Sequence, residues 1–228
     1  MSGRSIIVTG GFGVLGRAVA AAFTASGDRV ARVDFAATAP DAAGAGGLDI
    51  GGVDLTDGAA AARVAAEVTA AFGGIDVLVN VAGGFAWQTL ADGDVAGWQR
   101  LYAMNAVTCA TMSKAALPAL KAAGSGRIVN IGSAASLTAG AGMGAYAAAK
   151  SAVHRLTESL SAELAGTGVN VNAVLPSIID TPANRADIPD ADFTTWVTAD
   201  AIAQVIAFLA SPQARCISGA LIPVTRGG

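Results

Sequence analysis

Short, compact runs of apolar residues alternate along the chain with longer stretches in which apolar positions recur at helical spacing. The run SIIVT reads as a buried strand, and RAVAAAFTASG, a few residues later, places its apolar positions along one side of a helix. Continued to the end, the alternation predicts strands near residues 4–9, 29–34, 51–54, 75–81, 126–132, 169–175 and 219–224, with helices in the gaps. Strands separated by helices are joined by right-handed crossovers and run parallel. The expected architecture is therefore α/β: a doubly wound, seven-stranded parallel sheet with helices on both faces. Ligands of such a sheet bind beyond the carboxyl ends of its strands, where the winding reverses. One interval departs from the pattern. After Phe35, AATAPDAAGAGGLDIGG is too loose for a full helix and predicts a shortened crossover. No repeat or interdomain linker is evident, so residues 1–228 read as one domain.

Composition agrees with this picture and narrows the partners. A 53% hydrophobic content allows a large core for 228 residues. A net charge of -3 and a pI near 5.0, with no basic face in any segment, argue against nucleic acid or an anionic membrane as a partner. The first residues read as a strand rather than a basic region with an apolar stretch, and long apolar runs are broken by turn or charged residues. Neither a signal peptide nor a membrane span is expected, and the location reads as cytoplasmic. Cys109 and Cys216 lie far apart and lack metal-ligand spacing, so they read as free thiols, with no metal site.

Candidate chemistry begins immediately after the first strand. TGGFGVLG places Gly10, Gly13 and Gly16 three residues apart between a strand and a helix. Such a loop turns tightly, lets the backbone approach a diphosphate, and aims helix N-terminal amides at the anion. Asp34 ends the second apolar run, DRVARVD, at about the 20-residue distance where a carboxylate accepts hydrogen bonds from ribose hydroxyls and repels a 2′-phosphate. NAD is therefore preferred over NADP. Arg17 and Arg32 lie nearby and could offset that repulsion, whereas Phe35 cannot.

The second constellation is Tyr146 and Lys150, one helical turn apart in GAYAAAKSAVHRLTESLSAEL. A phenol of ordinary pKa near ~10 exchanges protons poorly at neutral pH, and a neighbouring ammonium favours its phenolate. By itself the spacing also suits a packed ring beside a solvated amine.

Taken in order, these residues resemble the single-domain short-chain dehydrogenase/reductase family over essentially the whole chain. That resemblance implies a Rossmann-type fold and an NAD(P)-dependent oxidoreductase. VDLTD is similar to the family's adenine-contacting segment at Asp54 and Leu55; NVAGG is similar to its Asn-Asn-Ala-Gly turn, with Asn80, Ala82 and Gly83 matching and Val81 departing. LPSIIDTP resembles the segment holding the nicotinamide carboxamide, through Pro176, Ile179 and Thr181, with Ser177 in place of the usual glycine. In the glycine turn, Val14 occupies the family's middle glycine position, between Gly13 and the Leu15-Gly16 pair. Ser133 stands thirteen residues before Tyr146, the family's spacing, and Asn105 matches its helix asparagine. The resemblance implies that Tyr146 exchanges a proton with the substrate oxygen and that Ser133 hydrogen-bonds the same oxygen. Lys150 then binds the nicotinamide ribose, and Asn105 kinks its helix and holds a relay water.

The substrate end is implied less sharply. Family members admit substrate between GGFAWQTLADGD and ANRADIPDADFTTW, where Phe85, Trp87, Phe193 and Trp196 offer apolar surface or cap the core. NVAGG, GGFGVLG and the stretch from Ala173 to Trp196 resemble dihydropteridine reductases, but Ser133 favours a plain carbonyl or alcohol over a quinonoid pterin. A nucleotide-sensing or scaffold protein without turnover is the alternative from another class, and the intact Ser133, Tyr146 and Lys150 argue against it. His154, the only histidine, reads as a packing or interface residue. The helices around Asn105 and from Tyr146 to Leu164 resemble subunit-contact helices, implying a homodimer or homotetramer.

Overall fold

The computed structural model describes residues 3–226. In chain order the elements are β1 (Ser5–Thr9), α1 (Val14–Ala25), β2 (Arg29–Val33), β3 (Leu48–Ile50), α2 (Gly58–Phe72), β4 (Val77–Asn80) and α3 (Val95–Tyr102). A π-helical turn, Ala103–Val107, joins α3 to α4 (Thr108–Ala122). They are followed by β5 (Arg127–Ile131), α5 (Gly144–Glu163), β6 (Asn170–Pro176), β7 (Ile179–Asp180), α6 (Pro182–Asp187), β8 (Val197–Thr198), α7 (Ala199–Leu209) and β9 (Leu221–Val224).

Seven strands form one parallel sheet in the order β3-β2-β1-β4-β5-β6-β9. Alternation along the strands supplies two cores. Ile6, Val8, Val30, Val77, Val79 and Val129 meet α1 and α7 on one face, through Leu15, Val19, Phe23, Ile202 and Ile206. Ile7, Ala31, Val33, Leu78 and Ile128 meet α2, α4 and α5 on the other, through Val64, Val68, Met112, Leu120 and Leu160. Winding reverses between β1 and β4, and the carboxyl ends of these strands align, with Thr9 opposite Asn80 and Asn80 opposite Asn130. The loops leaving β1 and β4 touch there, since a Cβ at Gly10 would stand 2.9 Å from the Ala82 nitrogen.

Two sequence expectations need correction. The third strand lies at Leu48–Ile50, not at residues 51–54, because Ala31, Arg32 and Val33 pair with Leu48, Asp49 and Ile50. Residues 51–54 are the exit from that strand, with Val53 N–H donating to the Asp34 carbonyl oxygen at 3.0 Å. A second, two-stranded sheet of β7 and β8 was also not anticipated. The loose Phe35–Gly52 interval contains no helix, in keeping with a shortened crossover. Among the described residues no helix is long and apolar enough to cross a membrane.

Candidate active site

The glycine loop leaves β1 with Gly10 at φ +61°, a left-handed conformation that glycine adopts freely. A Cβ at Gly16 would stand 2.1 Å from the Gly10 carbonyl oxygen, so α1 can reach the loop only as glycine. Gly13 is the N-cap of α1 and no side chain satisfies the first-turn amides there. That leaves Val14 and Leu15 N–H groups aimed at the cleft, the donor set a diphosphate needs. Val14 is partly exposed, whereas the Leu15 side chain is buried in the core, so only the backbone of Leu15 faces the cleft.

Asp34 closes the other end of the loop. Its carboxylate accepts from Phe12 N at 2.9 Å and Ala36 N at 3.0 Å, fixing its orientation while leaving further lone pairs free. Arg32 is committed elsewhere, with Asp49 at 2.7 and 2.8 Å and Asp41 at 2.6 Å. Arg17 also reaches Asp41, at 3.4 Å. Asp54 accepts both Thr56 N–H at 2.9 Å and Thr56 O–H at 2.7 Å, bonds that hold its carboxyl below the ordinary range. Leu55 inserts its side chain into the core, so a cofactor contact there is confined to its backbone.

Asn80 does not face the cleft. The strand pleat turns its side chain toward α4, where Nδ2 donates to Ser113 Oγ at 3.0 Å and Asn130 Oδ1 at 2.9 Å. Thr9 instead fixes the following turn, its Oγ1 accepting from Val81 N and Ala82 N at 3.0 Å each. Gly83 borders Asn105 and Lys150, and a Cβ there would lie 2.5 Å from Asn105 Oδ1 and 3.4 Å from Lys150 Nζ. At the far side Pro176 is buried at the end of β6, and Ile179 packs on the core. Thr181 caps α6 by accepting from Asn184 N at 3.1 Å, which leaves its hydroxyl hydrogen free to donate.

Asn105, Ser133, Tyr146 and Lys150 gather beyond β4 and β5. Asn105 sits in the π turn, where an extra residue per turn breaks the regular helix bonding. Its amide donates to Gly84 O at 3.0 Å and Leu101 O at 2.9 Å and accepts from Gly84 N at 3.2 Å. Lys150 is buried; Nζ donates to Ile131 O at 2.8 Å and lies 6.0 Å from the centre of the Tyr146 ring. Ser133 opens the loop after β5 and its Oγ accepts from Ala135 N at 3.2 Å, keeping its own proton available.

One electrostatic expectation is overturned. Burial raises the Tyr146 phenol above its ordinary pKa, and the neighbouring Ser133 hydroxyl pulls the other way. Lys150 does not draw the phenol down, because its ammonium lies beside the ring and bonds a backbone carbonyl. The ammonium is itself pushed down to about 8 by burial.

With this geometry in place, comparison with known proteins is decisive: residues 4–192 match the family described as short chain dehydrogenase. The chain belongs to the short-chain dehydrogenase family. It is therefore a nicotinamide-dependent oxidoreductase acting on alcohol or carbonyl groups. It is 33% identical to 2-(S)-hydroxypropyl-CoM dehydrogenase 3 of Xanthobacter autotrophicus, across 97% of this chain and 95% of that protein. It is 31% identical to D-beta-hydroxybutyrate dehydrogenase of Rhizobium meliloti, across 94% and 86%. Among solved structures, ligand-free aldohexose dehydrogenase of Thermoplasma acidophilum superposes with a TM-score of 0.89 at 26% identity, covering 99% of this chain and 93% of that one. An NAD+-bound xylitol dehydrogenase shares the fold, with a TM-score of 0.90 at 24% identity over 100% and 99%.

Within this short-chain dehydrogenase, two residues acquire a place that sequence reasoning did not give them. Gly11 lies against Arg32, and a Cβ there would stand 2.6 Å from the arginine Cβ. His154, read only as packing, is buried directly behind Ser133. Its Nε2 accepts from Ser133 N at 3.4 Å and lies 3.1 Å from Ser136 Oγ, which donates to Ser133 O at 2.6 Å. Burial holds the imidazole below its ordinary pKa, keeping it neutral and able to accept. The one available signal was position: His154 follows Lys150 by one helical turn.

Proposed function

We propose that the enzyme interconverts a ketone and a secondary alcohol with NAD as the preferred cofactor, Tyr146 serving as general acid and base. The observation that carries this reading is the convergence of Ser133, Tyr146, Lys150 and Asn105 beyond the β4 and β5 ends, beside an uncapped α1 N-terminus. When bound, the nicotinamide supplies or accepts the hydride. Tyr146 O–H donates its proton to the carbonyl oxygen in reduction and takes it back in oxidation. The raised pKa of its phenol keeps the proton in place until an oxyanion develops. Ser133 O–H donates to the same oxygen and stabilises the growing charge. Lys150 orients the cofactor ribose, and Asn105, pinned to the loop at Gly84, holds the π turn open for a water that returns protons to solvent.

NAD preference rests on Asp34. Its carboxylate is fixed at the loop, and Arg32 and Arg17, the cations able to offset repulsion of a 2′-phosphate, are paired with Asp41 and Asp49. The same reading places a homodimer or homotetramer in the cytoplasm. Its test is a panel of ketones and secondary alcohols followed by nicotinamide absorbance with NADH and NADPH in parallel. Turnover favouring NADH, abolished in Tyr146→Phe with NADH binding retained, is the expected result. Full activity in Y146F removes the proton-transfer assignment, and an NADPH advantage removes that of Asp34.

A further inference from the structure

The walls of the substrate cleft carry a charge pattern that the cofactor half does not explain. Three segments leave the carboxyl edge of the sheet beside Tyr146: residues 84–99 after β4, 134–143 after β5 and 177–197 after β6. Together they contain six aspartates (92, 94, 180, 187, 190 and 192) and a single cation, Arg185. Arg185 is not available to a substrate anion. Its Nε and Nη2 hold both oxygens of Asp180 at 2.6 and 2.7 Å, and its guanidinium lies 4.7 Å from the Phe193 ring centre. Lys150 is buried against Ile131 O and belongs to the cofactor side of the cleft.

Next to the reacting hydroxyl the wall is aromatic. The Phe85 ring meets Tyr146 edge-on with centres 5.0 Å apart and an 84° interplanar angle, yet it remains 54% exposed. Trp87 is 61% exposed but not loose. Its Nε1 donates to Ala141 O at 3.0 Å, and Gln88 N donates to Gly142 O at 3.0 Å, tying the β4 loop to the β5 loop. The other three aromatics in these segments are spent inside the protein: Trp196 is buried, Phe193 packs on it at 4.8 Å, and Trp98 packs against Leu101, Ala145 and Ala149.

We propose that the substrate is a neutral ketone or secondary alcohol with an apolar ring next to the reacting carbon, and that Phe85 and Trp87 form the surface that ring contacts. This deepens, and rests on, the carbonyl-alcohol reading above. A ring laid against these two aromatics, which Tyr146 and Ala141 already hold, gains buried apolar area at little ordering cost. A carboxylate in the same cleft meets aspartates whose neighbouring cations, Arg185 and Arg100, are already paired with Asp180 and Asp94, and it loses hydration uncompensated.

The test uses the full chain with NADH and two matched pairs: acetophenone against 4-acetylbenzoate, and cyclohexanone against 4-oxocyclohexanecarboxylate, with dihydroxyacetone as a small polar control. The expected result is a kcat/KM at least about tenfold higher for the neutral member of each pair, carried mainly by KM. High salt narrows that gap by screening the aspartates, and Asp180→Asn, which releases Arg185, narrows it further. Phe85→Ala lowers efficiency on the neutral ring ketones by a clearly larger factor than on dihydroxyacetone, the shared part of the loss reporting its contact with Tyr146. Equal or better turnover of the carboxylates overturns the inference and leaves the carbonyl reading standing, as does turnover of dihydroxyacetone alone. If no carbonyl is reduced although NADH binds, both fall.

Discussion

At the scale of single residues, the site is built from ionisable groups held out of water, and their energetics give two measurements. Lys150 is drawn from its usual 10.5 to about 8 by burial. Between those values the unfolded chain holds the proton that the folded one has released, so stability rises with pH across that window; below it the full penalty, roughly 3 kcal/mol, persists. Denaturation of wild type and Lys150→Met from pH 7 to 10.5 should show the wild type gaining about that much relative to the variant, and a constant difference would refute the burial argument. His154 titrates on the opposite side of neutrality. Burial lowers its pKa, so as pH falls through that lowered value the ring gains a proton on the nitrogen that accepts from Ser133 N–H. The His154→Leu enzyme is expected to lose about tenfold in kcat with NADH binding unchanged. His154→Gln, whose carbonyl can accept in place of the ring, should recover most of it and lose the acid limb of the pH profile. Unchanged kcat in the leucine variant would reduce His154 to packing. Of these residues, the sequence showed Tyr146 and Lys150 because they share a helix face. The His154 contact joins positions 21 apart on different elements, which no local pattern records. Asn80 was misplaced for a related reason, because its facing depends on strand parity within the assembled sheet.

At the scale of elements, the glycine loop separates folding from binding. Gly16→Ala drives a Cβ to 2.1 Å from the Gly10 carbonyl oxygen, backbone against backbone, and should cost about 1–3 kcal/mol of stability together with NADH affinity. Gly13 has φ -74° and only Gly10 O near its missing Cβ, at 3.5 Å, so Gly13→Ala should fold normally while its methyl crowds the diphosphate. Thermal melts and NADH fluorescence titration of the two variants distinguish these effects. Equal melting temperatures would refute the steric account of Gly16. The loop was legible because strand, glycines and helix are contiguous. β3 was less so: a three-residue edge strand only partly buried offers little apolar alternation to set it apart from the Gly51–Asp54 segment that follows. The π turn at Asn105 was also invisible as a period. Its signature is one extra residue in a turn, fixed by the bonds between Asn105 and Gly84 rather than by composition.

At the scale of the whole molecule, the parallel, doubly wound sheet followed from alternation and crossover handedness, whereas assembly depends on surface. A monomer of 22.3 kDa is expected to expose roughly 9,400 Å² by the scaling of folded monomers, and the chain exposes 10424 Å². Exposed apolar side chains stand at both ends of α3, where Val95 is 72% and Tyr102 52% exposed. This stretch leads into the helix around Asn105, so covering it by a second copy also braces the π turn that positions the site. A stable subunit contact needs about 1,600 Å² in total, shared between two partners, comparable with the excess once each chain contributes its half. Light scattering should therefore give two or four times the chain mass. Tyr102→Glu, which places a charge on that face without touching the core, should shift the mass toward one chain with the melting transition retained and kcat reduced. A monomeric wild type with full activity would exclude an assembly of this kind and leave the exposed face of α3 without a structural role.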